Sequence, residues 1–154
     1  MKICIDAGHN YSGADTGGNG LREQDVTFDI AYELAKKLKA NGVDVVMTRN
    51  NRTDSIGKTL NDSLSERCRI ANNYNCDLFV SIHCNAGGGM ATETYIYSQF
   101  SKAKDIADKI QDSIVNRLGM QNRGVKVKPF FYVLKNTNMP AVLIETAFID
   151  NAED

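Results

Sequence analysis

The chain has 154 residues with 18 basic and 19 acidic side chains, a formal charge of −1, and is 42% hydrophobic and 24% charged. That balance suits one folded domain with its own core and excludes disorder as the dominant state. A near-neutral charge excludes a global field that would recruit nucleic acid or an anionic membrane, and no apolar run approaches the ~20 residues of a membrane span.

Taken in order, short β-like runs alternate with longer helical ones. "KICID" reads as a strand and leads into a glycine-rich loop over residues 8–20. "EQDVTFDIAYELAKKLKANG" has helical spacing, with Val26, Ile30, Leu34 and Leu38 on one face and Gly42 at its end. "VDVVMTR" is a β-branched second strand. A loop holding Gly57 precedes "LNDSLSERCRIANNYN", where Leu60, Leu64, Cys68 and Ala71 fall on one helical face. "DLFVSIH" is a third strand, and "ATETYIYS" alternates like a half-exposed fourth. "KAKDIADKIQDSIVNRLG" is a long amphipathic helix ending at Gly119. "FFYVL", a turn at Pro140 and the apolar run "AVLIE" close the chain. No repeat or linker interrupts this, so residues 1–154 read as a single domain. The alternation predicts an α/β fold, a mostly parallel twisted sheet with helices on both faces.

The four cysteines, Cys4, Cys68, Cys76 and Cys84, form no CxxC pair and read as reduced, buried thiols.

In an open α/β sheet, ligands bind at the strand C-termini. Three predicted strands deliver a metal-binding or acid-base residue to that rim: His9 after the first, His83 on the third and Glu145 at the end of "AVLIE". Glu23, at the start of the first helix, can reach the same edge. The chain has only two histidines, and both converge there. Singly, each residue has an ordinary explanation: a turn histidine, a rim histidine, a helix-dipole partner. Glu145 fits such a reading least, because a buried carboxylate needs a partner. Two imidazoles and one carboxylate make a His₂Glu zinc site with an open fourth position. Such a zinc brings the pKa of a bound water to about 7, and a second carboxylate then moves the proton. Spacing alone does not decide which glutamate binds metal. A thiol nucleophile at Cys84 is a weaker alternative, since adjacent strand residues point to opposite faces and His83 is badly placed to activate it.

The segments "IDAGHN", "LREQD", "VMTRN", "DLFVSIHCNA", "NRGVKV" and "MPAVLIETAFIDNAED" resemble, in order, the zinc-dependent N-acetylmuramoyl-L-alanine amidases of bacterial wall hydrolases and phage endolysins. The resemblance implies one catalytic zinc at the rim, held by His9, Glu23 and His83, with Glu145 as general acid/base. It implies peptidoglycan as substrate, cut between N-acetylmuramic acid and L-alanine. Departures fall at Ala7, Asn10, Cys84 and "ETAFI", where the family more often has other residues; none removes a ligand. Asn85 and Arg123 could hold glycan or a stem-peptide carboxylate, but a solvated-loop or structural role suits Arg123 at least as well, so the substrate-binding residues stay unassigned. Family members usually continue beyond the last motif, so a catalytic module cut from a longer chain, once joined to a wall-binding domain, is expected. "MKICIDAGH" is too short and lacks a cleavage site for a signal peptide, so delivery to the wall by release or non-classical export is expected. A zinc exopeptidase on a similar scaffold, and a wall-binding module without catalysis, are the competing readings.

Overall fold

A computed structural model describes residues 1–13 and 21–154; Gly17, Gly18 and Gly20 of the expected glycine-rich loop lie outside the described residues. Along the chain come β1 (Lys2–Ala7), α1 (Glu23–Ala40), β2 (Asp44–Met47), α2 (Leu60–Asn73), β3 (Leu78–Asn85), β4 (Thr92–Ile96), α3 (Lys104–Leu118), β5 (Asn122–Val127), α4 (Tyr132–Asn136) and β6 (Ala141–Phe148). The strands form one sheet in the order β2-β1-β3-β6-β4-β5. β2, β1, β3 and β6 run parallel, while β4 is antiparallel to β6 and parallel to β5. The C-terminal ends of β1, β3 and β6 therefore share one rim with the N-terminal ends of β4 and β5.

Alternation along the strands sorts the core into two layers. Ile3, Ile5, Val80, Ile82, Val142 and Ile144 pack on one face with Phe28, Ala31 and Ala35 of α1 and Ala107 of α3. Cys4, Phe79, Tyr95 and Leu143 pack on the other with Cys68 and Ala71 of α2 and Val133 and Leu134 of α4. Helices thus cover both faces, as expected. Local signals set their ends. Thr59 and Asp62 close a capping box at the start of α2, where Thr59 Oγ1 accepts from the Asp62 amide at 3.1 Å. Such caps contribute about 1 kcal/mol. Gly119 ends α3 in the left-handed conformation, φ 68°.

The structure corrects several expectations. The buried stripe of α1 is Thr27, Phe28, Ala31 and Ala35, and Ile30 of the expected face is exposed. The small side chains of Ala31 and Ala35 let α1 lie close against the sheet, which hydrophobic spacing alone does not register. All five positions of β4 are buried, where a half-exposed strand was expected. The polar residues of one face are covered by charged partners rather than by solvent. β5 was not anticipated, because Gly124 (φ 76°) and a register shift between Thr92 and Thr94 break its pattern. β3 and β6 extend past His83 and Glu145 to Asn85 and Phe148. "FFYVL" is a loop entering the short helix α4. Among the described residues no helix is long and apolar enough to cross a membrane. The four cysteines are free and buried, as expected.

Candidate active site

Beyond β1 the chain keeps its alignment with β3 for one further residue, through a hydrogen bond from the Gly8 amide to the Ile82 carbonyl at 3.0 Å. A Cβ at Gly8 would lie 2.5 Å from His83 Cε1 and 2.7 Å from the Ile82 carbonyl oxygen, so only glycine allows this approach. His9 then adopts φ 61°, a left-handed conformation that costs about 1–2 kcal/mol outside glycine. Neighbours hold it there. Thr27 of α1 donates to the Gly8 carbonyl at 2.8 Å, and Arg67 of α2 donates to the His9 carbonyl at 2.8 Å. The Asn10 side chain exchanges hydrogen bonds with the Ile56 backbone at 2.8 and 3.1 Å.

Under this turn lies a buried polar network. Arg67 also donates to Ala7 O at 2.7 Å and to Asp6 Oδ1 at 2.5 Å. Thr48 and Ser81 each donate to Asp6 at 2.7 Å. Burial works against the Asp6 charge, but Arg67 and the two hydroxyls outweigh it and hold the carboxyl below its ordinary value. Sequence reading missed these residues. The signal available was a carboxylate inside the apolar run "KICID", in a strand that now proves buried throughout beyond Lys2.

Glu23, the first residue of α1, reaches between the two histidines. Its Oε2 lies 3.1 Å from His9 Nε2 and its Oε1 lies 3.2 Å from His83 Nδ1. The Cys84 amide donates to the same Oε1 at 2.9 Å, and the two imidazole rings meet edge to face at 4.8 Å. Burial opposes ionisation of Glu23, yet the hydrogen bonds with His83 and His9 hold its carboxyl well below the usual carboxylate range. One ligand atom from each of His9, Glu23 and His83 lies within 4.8 Å of the other two. Two nitrogens and one carboxylate oxygen at the edge of an open cleft match a three-ligand catalytic metal site.

Glu145 sits directly beside His83 in the β3–β6 register and beside Glu93 in the β4–β6 register. It lines the same cleft of about 470 Å³ as His9, Glu23 and His83, whose apolar lining includes Leu60, Leu64, Phe130 and Tyr132. Its Oε2 is buried and has no hydrogen-bond partner among the described residues. Burial pushes its carboxyl up from the ordinary value; His83 pulls the other way, and Glu23 and Glu93 add to the rise. All four candidate residues thus stand in one cleft. Glu93 itself was missed. It is buried, accepts from Asn85 at 2.7 Å and Tyr95 at 2.6 Å, and forms ion pairs with Arg123 at 3.1 Å and with Lys126. The Cys84 thiol contacts the Thr146 hydroxyl at 3.4 Å, and burial pushes it up to about 11, which disfavours the thiol-nucleophile reading.

Residues 3–154 match the family model described as N-acetylmuramoyl-L-alanine amidase. The N-acetylmuramoyl-L-alanine amidase LytC of Bacillus subtilis (strain 168) is 41% identical, across 99% of this chain and 30% of that protein. The endolysin of Bacillus phage SPP1 is 33% identical, across 99% of this chain and 56% of its own length. The crystal structure of an N-acetylmuramoyl-L-alanine amidase from Clostridium difficile 630 superposes with a TM-score of 0.83 at 33% identity, covering 96% of this chain and 79% of that one. The chain therefore spans less than two thirds of either curated relative.

Proposed function

As the chain belongs to the N-acetylmuramoyl-L-alanine amidase family, we propose that it cuts peptidoglycan at the amide between the lactyl group of N-acetylmuramic acid and L-alanine. In this reading His9, Glu23 and His83 hold one zinc ion and Glu145 is the general acid/base. The observation that carries it is Glu145: a half-buried carboxylate whose buried Oε2 has no hydrogen-bond partner among the described residues, in register with His83 and open to the same cleft.

A zinc ion in that triad would supply a Lewis acid for the lactyl carbonyl and make a water nucleophilic at neutral pH. The side chains do the rest. Glu23 supplies the one negative charge among the ligands, and the Cys84 amide fixes its orientation. Glu145 takes a proton from the attacking water as the new C–O bond forms. It then gives that proton to the alanine nitrogen as the C–N bond breaks, so the products are a lactyl carboxylate and a free alanine amine. Burial favours its proton-carrying form, as a group that holds a proton between two transfers requires.

The test is digestion of purified cell wall by zinc-loaded protein, with chelated protein and Glu145→Ala alongside. The expected products are new alanine N-termini without new sugar reducing ends, lost in both controls. New amines on other stem residues would mean a peptidase instead, and wall binding without any product would leave only a binding module.

A further inference from the structure

The face of the sheet that carries His83 and Glu145 is divided. α2 and α4 pack against its β1–β3–β6 half, whereas α3 backs β4 and β5 from the opposite face. On the near face β4 and β5 present a charged ledge. Its floor is Glu93, only 2% exposed and next to Glu145 in the β4–β6 register. Arg123 Nε lies 3.1 Å from Glu93 Oε2, and Lys126 pairs with the same oxygen, yet the two cations remain 43% and 37% exposed. Two cations on one carboxylate leave a surplus positive charge. Lys128 adds another, its Nζ 5.7 Å from the Tyr95 ring centre and 5.8 Å from that of Phe131.

We propose that this ledge receives the carboxylate carried by the second residue of the stem peptide, making Arg123 and Lys126 determinants of stem-peptide specificity. The inference rests on the amidase reading of the cleft and extends it to substrate orientation. If Glu145 on β6 gives its proton to the departing alanine nitrogen, the peptide leaves from the β6 side of the scissile bond. The strands next in order on that side are β4 and β5. Neighbouring strands are about 4.8 Å apart, so the ledge begins roughly 5 Å from β6 and ends near 10 Å. An extended peptide covers up to about 3.5 Å per residue, which brings the second residue over Arg123 and Lys126. In the stem peptide that residue is a γ-linked glutamate, bearing either a free α-carboxylate or its amide. A guanidinium and an ammonium favour the carboxylate through charge-assisted hydrogen bonds. The sugar then lies toward the uncharged wall of Leu60 and Leu64.

The experiment uses two synthetic N-acetylmuramoyl peptides that differ only in a carboxylate or a carboxamide on the second residue. With zinc-loaded wild-type chain, kcat/KM is expected to favour the carboxylate by about tenfold at low salt, and less at high salt. In Arg123→Gln that ratio is expected to fall toward one. Calorimetry of the released peptides, which needs no turnover, should show the same preference and its loss in the variant. Wild-type protein that treats both forms alike would overturn the proposal, and this arm stands even if the variant does not fold. Equal losses on both substrates in Arg123→Gln, with the ratio intact, would also overturn it, since the arginine would then serve the fold alone. Failure of the amidase reading looks different: neither substrate yields an alanine N-terminus, whatever its second residue, and the proposal falls with it.

Discussion

Arg67 donates to the backbone carbonyl of His9 at 2.8 Å and, through its other amino group, to Asp6 at 2.5 Å, so one buried cation ties the end of β1 to α2. It holds in place the turn that aims His9 at Glu23. Replacing it with methionine strands the Asp6 charge, and breaking a buried pair in this way typically costs about 3–5 kcal/mol. Arg67→Met is therefore expected to lower the urea midpoint sharply and to weaken zinc binding in whatever fraction stays folded. Denaturation curves with and without zinc check this, and unchanged zinc affinity in folded Arg67→Met would remove the positioning role.

Asp6 gives the same network a pH dependence. Its carboxyl is held below its ordinary value in the folded chain, so the unfolded chain binds the proton first as pH falls. The stabilisation is present above the unfolded pKa of about 3.9 and is lost as pH drops through the depressed folded value. The urea midpoint of wild-type protein is expected to fall below about pH 4. Asp6→Asn should start lower at neutral pH and show a flatter acid limb. Parallel limbs in the two proteins would place the acid sensitivity elsewhere.

The rim residues were legible in the sequence because each ends or follows an apolar run, and strand order alone brings such positions together. The supporting residues were not. The Asp6–Arg67 contact joins positions 61 apart, and an arginine in "LSERCRIANN" reads as a solvent-facing helix residue until the sheet covers it. Glu93 hid in the same way. The alternation in "TETYI" suggests one wet face, but Arg123 and Lys126 arrive from β5, whose own pattern is broken by Gly124. Short-range periodicity records which side of an element is polar. It does not record whether that polarity meets water or a partner from elsewhere in the chain.

Gly8→Ala tests how closely the turn and His83 must approach. The added Cβ would fall 2.6 Å from His83 Nε2 and 2.7 Å from the Ile82 carbonyl oxygen, and the backbone atom has no freedom to move aside. His83 would have to shift, and positioning losses around metal ligands typically reduce affinity by about 10- to 100-fold. Competition titration against a zinc chelator is the measurement. An affinity within twofold of wild type would show that the approach tolerates a methyl group.

The cysteines separate metal from thiol chemistry. All four are buried, and burial pushes Cys68 up to about 12 and Cys84 up to about 11. Folded protein is expected to resist iodoacetamide at pH 7, and Cys84→Ala to release alanine amines from cell wall at close to the wild-type rate, while chelation abolishes release. Inactivation by alkylation in proportion to labelling at Cys84 would revive the thiol nucleophile.

Spacing alone left the roles of the two glutamates open, and the geometry separates them by experiment. Glu23 touches both histidines, whereas Glu145 keeps a buried oxygen without a hydrogen-bond partner among the described residues. Glu23→Gln should lose most of its zinc affinity, because the only negative charge among the three proposed ligands goes. Glu145→Gln should bind zinc nearly as well as wild type while its turnover falls about 10²- to 10⁴-fold, the usual contribution of a general acid/base. It should also melt no lower than wild type, since charge on a half-buried carboxylate whose Oε2 lacks a hydrogen-bond partner among the described residues disfavours folding and the amide removes it. Zinc titration, turnover on cell wall and thermal melting of the two variants give distinct patterns. Weakened zinc binding in Glu145→Gln with full affinity in Glu23→Gln would exchange the two assignments.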